Sequence, residues 1–249
     1  MKRSEINLVN TAAYDALAPF YRDNTGFPGG WYPDVTQIQL DNGRQKSFFI
    51  IDACEYRFEM AMVDFLVKTN SCAPFNMLDI GFGAGYTLRD FANNSYETVG
   101  VDLSTKMCEL ARTISPKSKI IRGDIFYNDF PDGHFNAIVM MSMLCQLPTD
   151  DARELLMRVK KWLNPDTGYI YASTSVEQDD QSGVFIKDTL GLSDIRGQAI
   201  PRFRTNYTIS RFIELIESAG FDVLMPFIIS EKDHKSNRQF QGYICRPRR

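Results

Sequence analysis

The feature that most constrains this chain is an alternation running from residue 76 to residue 172. Short apolar runs, NMLDIG, ETVGVDLS, SKIIRGDI, FNAIVMMSM and GYIYAST, are separated by stretches of helical texture. The spacing predicts helices at 86–93, at 105–113 behind the cap residue Ser104, and at 150–163 behind Thr149. Runs that are apolar throughout suit strands buried on both faces. Joining each to the next through a helix makes those strands parallel, with helices on either side. The expected fold class is therefore α/β, with a Rossmann-like, doubly wound and mostly parallel sheet.

The flanking sequence extends this plan. A helix is predicted at 208–219, ending at Gly220, where a left-handed residue is natural. The runs FDVLMPFIISE and RQFQGYICR follow, separated only by DHKSN, so they must pair as an antiparallel C-terminal hairpin. Upstream, residues 55–69 place Phe58, Met62, Phe65 and Leu66 at helical spacing. Gly26, Pro28, Gly29, Gly30 and Pro33 crowd together, so residues 1–54 read as an N-terminal helical and lid region. Residues 176–206 read as an irregular polar insertion over the substrate. The expected organisation is one domain over 1–249, a size that a single α/β core supports.

Composition narrows the partners. The formal charge is −3, which offers no positive field for a phosphate backbone, so nucleic acid is not an expected partner. The five cysteines are scattered, with no C-x-x-C pair, so neither a metal site nor a disulfide framework is expected. Reduced thiols fit a cytoplasmic protein. The N-terminal stretch never develops the apolar core of a signal peptide. No run approaches the ~18 apolar residues of a membrane helix, so no membrane association is expected. The oligomeric state is left open between monomer and homodimer.

Chemistry concentrates in Leu78–Asp79–Ile80–Gly81–Phe82–Gly83–Ala84–Gly85–Tyr86, which ends a strand and opens a helix. Glycines there let the chain turn tightly and let a ligand lie against bare backbone. The dinucleotide frame G-x-G-x-x-G would place its last glycine at Tyr86, so the frame here is D-x-G-x-G-x-G instead. An acid at the strand end gains nothing from a pyrophosphate but suits a ligand with a cationic ammonium end. Asp102 closes the next strand, where a carboxylate can accept both hydroxyls of a ribose. Asp124 follows the third strand, where it can accept from an adenine amino group. Each acid alone is equally readable as a helix cap or surface carboxylate; three at successive strand ends beside a glycine turn point to one ligand.

The set LDIGFGAGYTL, VGVDLS, GDI and FNAIVMMSMLCQLP, with the N-terminal YDALAPFY, resembles the class I S-adenosylmethionine-dependent methyltransferases. The similarity is strongest to their small-molecule group, UbiE-like and sugar N-methyltransferase-like. The resemblance implies S-adenosyl-L-methionine as cofactor. Asp79, Gly81, Gly83 and Gly85 would hold its methionine end, Asp102 its ribose, and Asp124 with Ile125 its adenine. Met141 would contact the amino-acid part, and Leu103 belongs to the same implied set. Two departures stand out. Asn136 occupies a place that is often Asp, and Cys145–Gln146 a place that is often a His pair, which removes a familiar candidate base.

Methyl transfer from a sulfonium needs mainly positioning and exclusion of water, with a base only when the nucleophile arrives protonated. The catalytic candidates are correspondingly few: Tyr14, Tyr21 and His134. Tyr14 and Tyr21, seven apart, share a helix face that is either a packing stripe or the substrate mouth. His134 sits in a turn that reads equally as surface, and His234 lies in the hairpin turn. Trp31 and Tyr32 are either an aromatic lid or a dimer contact. Arg202 and Arg204 either grip an acidic substrate or belong to a solvated loop. The expected function is methyl transfer to a small organic molecule at O, N or C. The alternatives on the same fold are a non-methylating cyclase or pericyclase, and a cofactor-sensing protein.

Overall fold

The structure is a computed structural model that describes residues 1–20, 34–40, 42–52, 58–186, 200–233 and 236–249. Its centre is built as the alternation demands: β3 (Phe75–Ile80), α3 (Tyr86–Asn93), β4 (Tyr96–Asp102), α4 (Thr105–Ile114), β5 (Lys119–Arg122), β6 (Ala137–Met141), α5 (Thr149–Trp162) and β7 (Tyr169–Ser175) follow one another. These five strands pair in parallel, in the order β7-β6-β3-β4-β5. The order reverses between β3 and β6, and at such a switch point the loops above the strands part to leave a crevice.

After β7 come β8 (Ser182–Ile186) and β9 (Pro201–Thr205), then α6 (Ile209–Ser218), β10 (Phe221–Asp233) and β11 (Ser236–Pro247). β10 and β11 form the expected antiparallel hairpin, and β11 pairs antiparallel with β7. Gly220 takes φ +87 after α6, the left-handed stop read from the sequence. Ser104 caps α4, its Oγ accepting from Met107 N at 3.0 Å. Thr149 is not a cap: it is the first helical residue of α5, and Pro148 precedes it.

The N-terminal region opens with α1 (Arg3–Leu17), and a 3-10 turn follows at Ala18–Phe20. Two sequence expectations need correction. The region read as helix and lid also contributes two strands, β1 (Asp34–Gln39) and β2 (Gln45–Asp52). β2 pairs in parallel with β10, so the C-terminal hairpin is interior and the sheet has nine strands among the described residues. Every residue of β1 but Ile38 is exposed, so no apolar alternation announced it. Finally, the polar insertion is not wholly irregular, since β8 and β9 pair antiparallel as a separate two-stranded sheet.

Core residues cover both faces of the large sheet. Leu155, Leu156, Val159 and Trp162 of α5 pack one side with Phe212 and Ile216 of α6. On the other, α2 (Phe58–Asn70) contributes Met60, Val63 and Val67, beside Leu88 and Phe91 of α3 and Ala111 of α4. Burial on two sides explains why the central strands are continuous apolar runs. Among the described residues no helix is long and apolar enough to cross a membrane.

Candidate functional site

The carboxyl ends of β3, β4, β5 and β6 open into one cleft. β3 and the turn after it bring Ile80, Gly81 and Gly83; β4 brings Val101, Asp102 and Leu103; the turn after β5 brings Gly123, Asp124 and Ile125. β6 and its following loop add Met141, Ser142, Met143, Gln146 and Leu147, and α1 lies across with Asn7, Asn10, Thr11 and Tyr14. The cleft and its open mouth together hold about 800 Å³ of space free of protein atoms, open solvent included. Among the described residues that line it there is no Lys, Arg or His.

The glycine turn is shaped by positive φ at Gly81 (+72), Gly83 (+57) and Gly85 (+87), values that cost a side-chain-bearing residue energy. Gly81 N donates to Val101 O at 2.8 Å, which fixes the turn against β4. Gly83 N donates to Asp102 Oδ2 at 3.2 Å, and Ser104 N to Oδ1 at 2.8 Å. Burial pushes the Asp102 carboxyl up to about 6, while those N–H groups pull it down and the nearby Asp15 pushes it further up. A backbone N–H that a phosphate would use is thus already given to a carboxylate.

The third acid is more committed than the sequence suggests. Asp124 caps the short turn Ile125–Tyr127, with Oδ1 accepting from Phe126 N at 2.9 Å. Its Oδ2 accepts from Asn7 Nδ2 at 2.7 Å. A carboxylate has about four acceptor positions, so both bonds leave capacity for a ligand donor.

Helix α1 is pinned over the cleft at several points. Arg3 makes a two-pronged contact to Asp151, at 3.0 and 2.9 Å, and lies 3.6 Å over the Phe126 ring. Asn10 Nδ2 donates to Gln146 O at 3.2 Å while its Oδ1 accepts from Phe203 N at 2.9 Å. Asp15 accepts from Ser104 Oγ and from Lys106 N, placing a negative charge at the N-terminus of α4.

Of the residues predicted for the cofactor, the cleft gathers Gly81, Gly83, Asp102, Leu103, Asp124, Ile125 and Met141, and leaves out Asp79 and Gly85. Asp79 is buried within β3. Gly85 is a packing glycine: a Cβ there would stand 2.8 Å from Ala111 Cβ, so its bareness lets α3 and α4 approach. His134 is also displaced. It precedes β6, whose far end reaches the cleft, and its ring packs on Phe135; a strand of that length holds them roughly 15 Å or more apart. Asn136 sits beside His134 at the end of β6 remote from the cleft, its Oδ1 accepting from Asn76 N at 2.9 Å, which extends the β3–β6 pairing.

Tyr14 lines the cleft, its hydroxyl accepting from Arg202 Nη1 at 3.3 Å. Burial pushes that hydroxyl above its usual range, against the pull of Arg202, so it stays protonated. Arg202 and Arg204 are buried rather than solvated, which overturns the reading of a solvated loop for these two. Helix α1 ends at Leu17, so the face shared by Tyr14 and Tyr21 does not continue along it. Tyr21, Trp31, Tyr32 and His234 lie outside the described residues. Sequence reasoning missed Asn7, Asn10 and Thr11, although with Tyr14 they make a polar stripe at helical spacing. It also missed Ser142, held at φ +51 by its N–H bond to Ser173 O and by Cys145 and Gln146 donating to its carbonyl.

A family model described as a methyltransferase domain matches residues 77–166, from within β3 to just past α5. The uncharacterized methyltransferase YcgJ of Bacillus subtilis is 26% identical over 135 residues, 52% of this chain and 53% of that protein, so the match spans about half its length. Among solved structures, the 1,6-didemethyltoxoflavin-N1-methyltransferase of Burkholderia thailandensis, with 1,6-didemethyltoxoflavin and S-adenosylhomocysteine bound, superposes with TM-score 0.58 at 18% identity. It covers 77% of this chain and 79% of its own. The cyclase SpnF superposes with TM-score 0.60 at 14% identity over 96% of this chain and 95% of its own. At such identities the structural likeness speaks for the fold.

Proposed function

We propose that this chain, whose residues 77–166 carry a class I S-adenosylmethionine-dependent methyltransferase domain, transfers a methyl group from S-adenosylmethionine to a small organic molecule. The observation that carries this reading is the cleft's donor set. Two carboxylates, bare glycine backbone, side-chain amides and an apolar floor surround a space with no basic side chain among its described lining residues. A pyrophosphate would meet Asp102 where it needs a donor. A cationic sulfonium with a ribose and an adenine would meet acceptors and apolar surface instead.

In this reading Gly81 and Gly83 let the amino-acid end approach the backbone, Asp102 accepts from the ribose hydroxyls, and Asp124 with Ile125 holds the adenine. Met141 and Leu103 complete the apolar contact. When bound, the sulfonium supplies an electrophilic methyl group. The chain's own work is to hold the acceptor in line with it and to keep water out. Tyr14 suits positioning: its hydroxyl accepts from Arg202 and keeps its proton to donate. Residues 1–249 are read as one unit, with α1 and the 176–206 stretch covering the acceptor. The scattered thiols suit a reducing compartment such as the cytoplasm.

Incubation with methyl-labelled S-adenosylmethionine and a panel of small acceptors tests the proposal, with label expected in a product. A second reading is a non-methylating cyclase. It is favoured by the weakness of the base candidates, since His134 is remote and Tyr14 stays protonated, and it would appear as product without label. Absence of any cofactor binding would remove both.

A further inference from the structure

Behind Tyr14 lies a charged pair that cofactor binding leaves unused. β9 carries Arg202 and Arg204 on either side of Phe203, and an i, i+2 spacing puts both on one side of the strand. Both are only 5% exposed. Arg202 Nη1 reaches the Tyr14 hydroxyl and its guanidinium lies 5.6 Å from that ring, yet Nη2 is buried with no hydrogen-bond partner. Arg204 Nη2 donates to Ser175 Oγ at 2.8 Å, while its Nε is likewise buried and unpartnered. Among the described residues neither arginine forms an ion pair with a carboxylate. The acid nearest to answering is Glu177, which Arg204 meets through the hydroxyl of Ser175, a donor to Glu177 Oε1 at 2.8 Å.

A guanidinium does not shed its charge by losing a proton. Burying one without an ion-pair partner is therefore a cost to the fold, and burying two is heavier. A buried donor left unsatisfied calls for an explanation, and a ligand that completes it is one. Each arginine keeps one buried nitrogen with no acceptor, Nη2 of Arg202 and Nε of Arg204, and donors on both match the two oxygens of a carboxylate. Arg202 stands one hydrogen bond behind Tyr14, so an anion held there would leave the rest of its molecule to extend into the cleft.

We propose that Arg202 and Arg204 form the anchoring end of the acceptor subsite, and that the acceptor is a small molecule bearing a carboxylate. The assignment rests on reading the cleft as the methyl-donor site. The acceptor's acid group sits on the arginine pair, and its nucleophilic atom lies toward the cofactor, past Tyr14.

The test is calorimetry on the full chain, with and without S-adenosylhomocysteine, using benzoate and 3-phenylpropionate against their neutral amides and against inorganic phosphate. The carboxylates are expected to bind at least tenfold more tightly than the amides and to outcompete phosphate. Arg202→Met and Arg204→Met are each expected to remove that preference while S-adenosylhomocysteine affinity stays within twofold, and Arg202→Lys to restore part of it. Because an unanswered buried charge is removed, Arg202→Met is also expected to melt no lower than the parent. Equal binding of acids and amides, no carboxylate binding, preference for phosphate, or unchanged carboxylate binding in Arg202→Met would each overturn the proposal. So would a large drop in the Arg202→Met melting temperature, which would mark a structural arginine. If carboxylates bind through the arginines while S-adenosylhomocysteine does not bind at all, the donor-site reading fails and the anion site stands.

Discussion

Asp102 shows folding and binding pulling one side chain in opposite directions. Its carboxyl is raised from 3.8 to about 6 in the folded chain, chiefly by burial. The folded state therefore holds that proton more tightly than the unfolded state. The stability this contributes is complete below about 3.8 and is lost as pH rises through about 6. At pH 7 the group is ionised at a cost to the fold, and the ionised form is the one that accepts from two hydroxyls. Affinity for S-adenosylmethionine is expected to fall as pH drops below about 6, with calorimetry across pH 5–8 as the measurement. Asp102→Asn should flatten that profile and weaken binding at pH 7 by roughly 1–3 kcal/mol. The same change relieves the cost of a buried charge but turns one acceptor oxygen into a donor facing Gly83 N or Ser104 N, so no net gain in the stability of the empty chain is expected. A flat profile in the unaltered protein would contradict the role given to Asp102.

Which residues come to the cleft was legible in the sequence where type and position along a strand were enough. Gly81, Gly83, Asp102 and Asp124 fall at strand ends, and strand ends are visible in the apolar runs. Whether a glycine faces a ligand or a neighbouring helix depends on the packing of α3 on α4, which no spacing encodes. For that reason the sequence could not show that Gly85 stands against Ala111 of α4. The burial of Arg202 and Arg204 was hidden too, because two arginines in a polar stretch look solvated until α1 and Ser175 are seen against them.

At the scale of elements, the turns that carry the site are braced from outside it. Arg158 of α5 donates to Phe126 O at 2.7 Å and to Asn128 O at 2.6 Å, holding the turn that presents Asp124 and Ile125. Arg158→Ala is expected to weaken cofactor binding several-fold without touching the cofactor, since it frees that turn; titration measures it. Gly85→Ala is expected to lower stability by about 2 kcal/mol or more, combining a left-handed backbone with a contact at 2.8 Å. Gly123→Ala, where the nearest atom stands at 3.6 Å, is expected to cost far less, and thermal melts of the two separate packing from mere substitution. The central helices and strands were legible because two-sided burial writes itself as unbroken apolar runs. β1, β8 and β9 were not, because they lie at the sheet edge or apart from the main sheet and their polar residues give no period. β2 was not, because its apolar run FFII follows the exposed β1 and lies outside the alternation that begins at residue 76.

Across the whole molecule, α1 joins parts that are distant in sequence, tying the strand-end loops to β9 over the cleft. Asn10 is the tie that links two parts at once, its amide satisfying a loop carbonyl and a strand N–H. Asn10→Ala leaves both groups without that partner and is expected to cost roughly 2–4 kcal/mol in stability, with a parallel loss of cofactor affinity. An unchanged melting temperature would show α1 to be a passive cover. The fold as a whole places a cleft with two carboxylates, and no basic side chain among its described lining residues, at the switch point of the sheet, a lining proposed to take a sulfonium rather than a phosphate. The most direct measurement of that claim is a calorimetric titration of the chain with S-adenosylmethionine and, separately, with NADPH. One-to-one binding of the sulfonium, lost at least tenfold in Asp102→Ala, with no binding of NADPH, is the expected result. Tight NADPH binding with none for S-adenosylmethionine would contradict it.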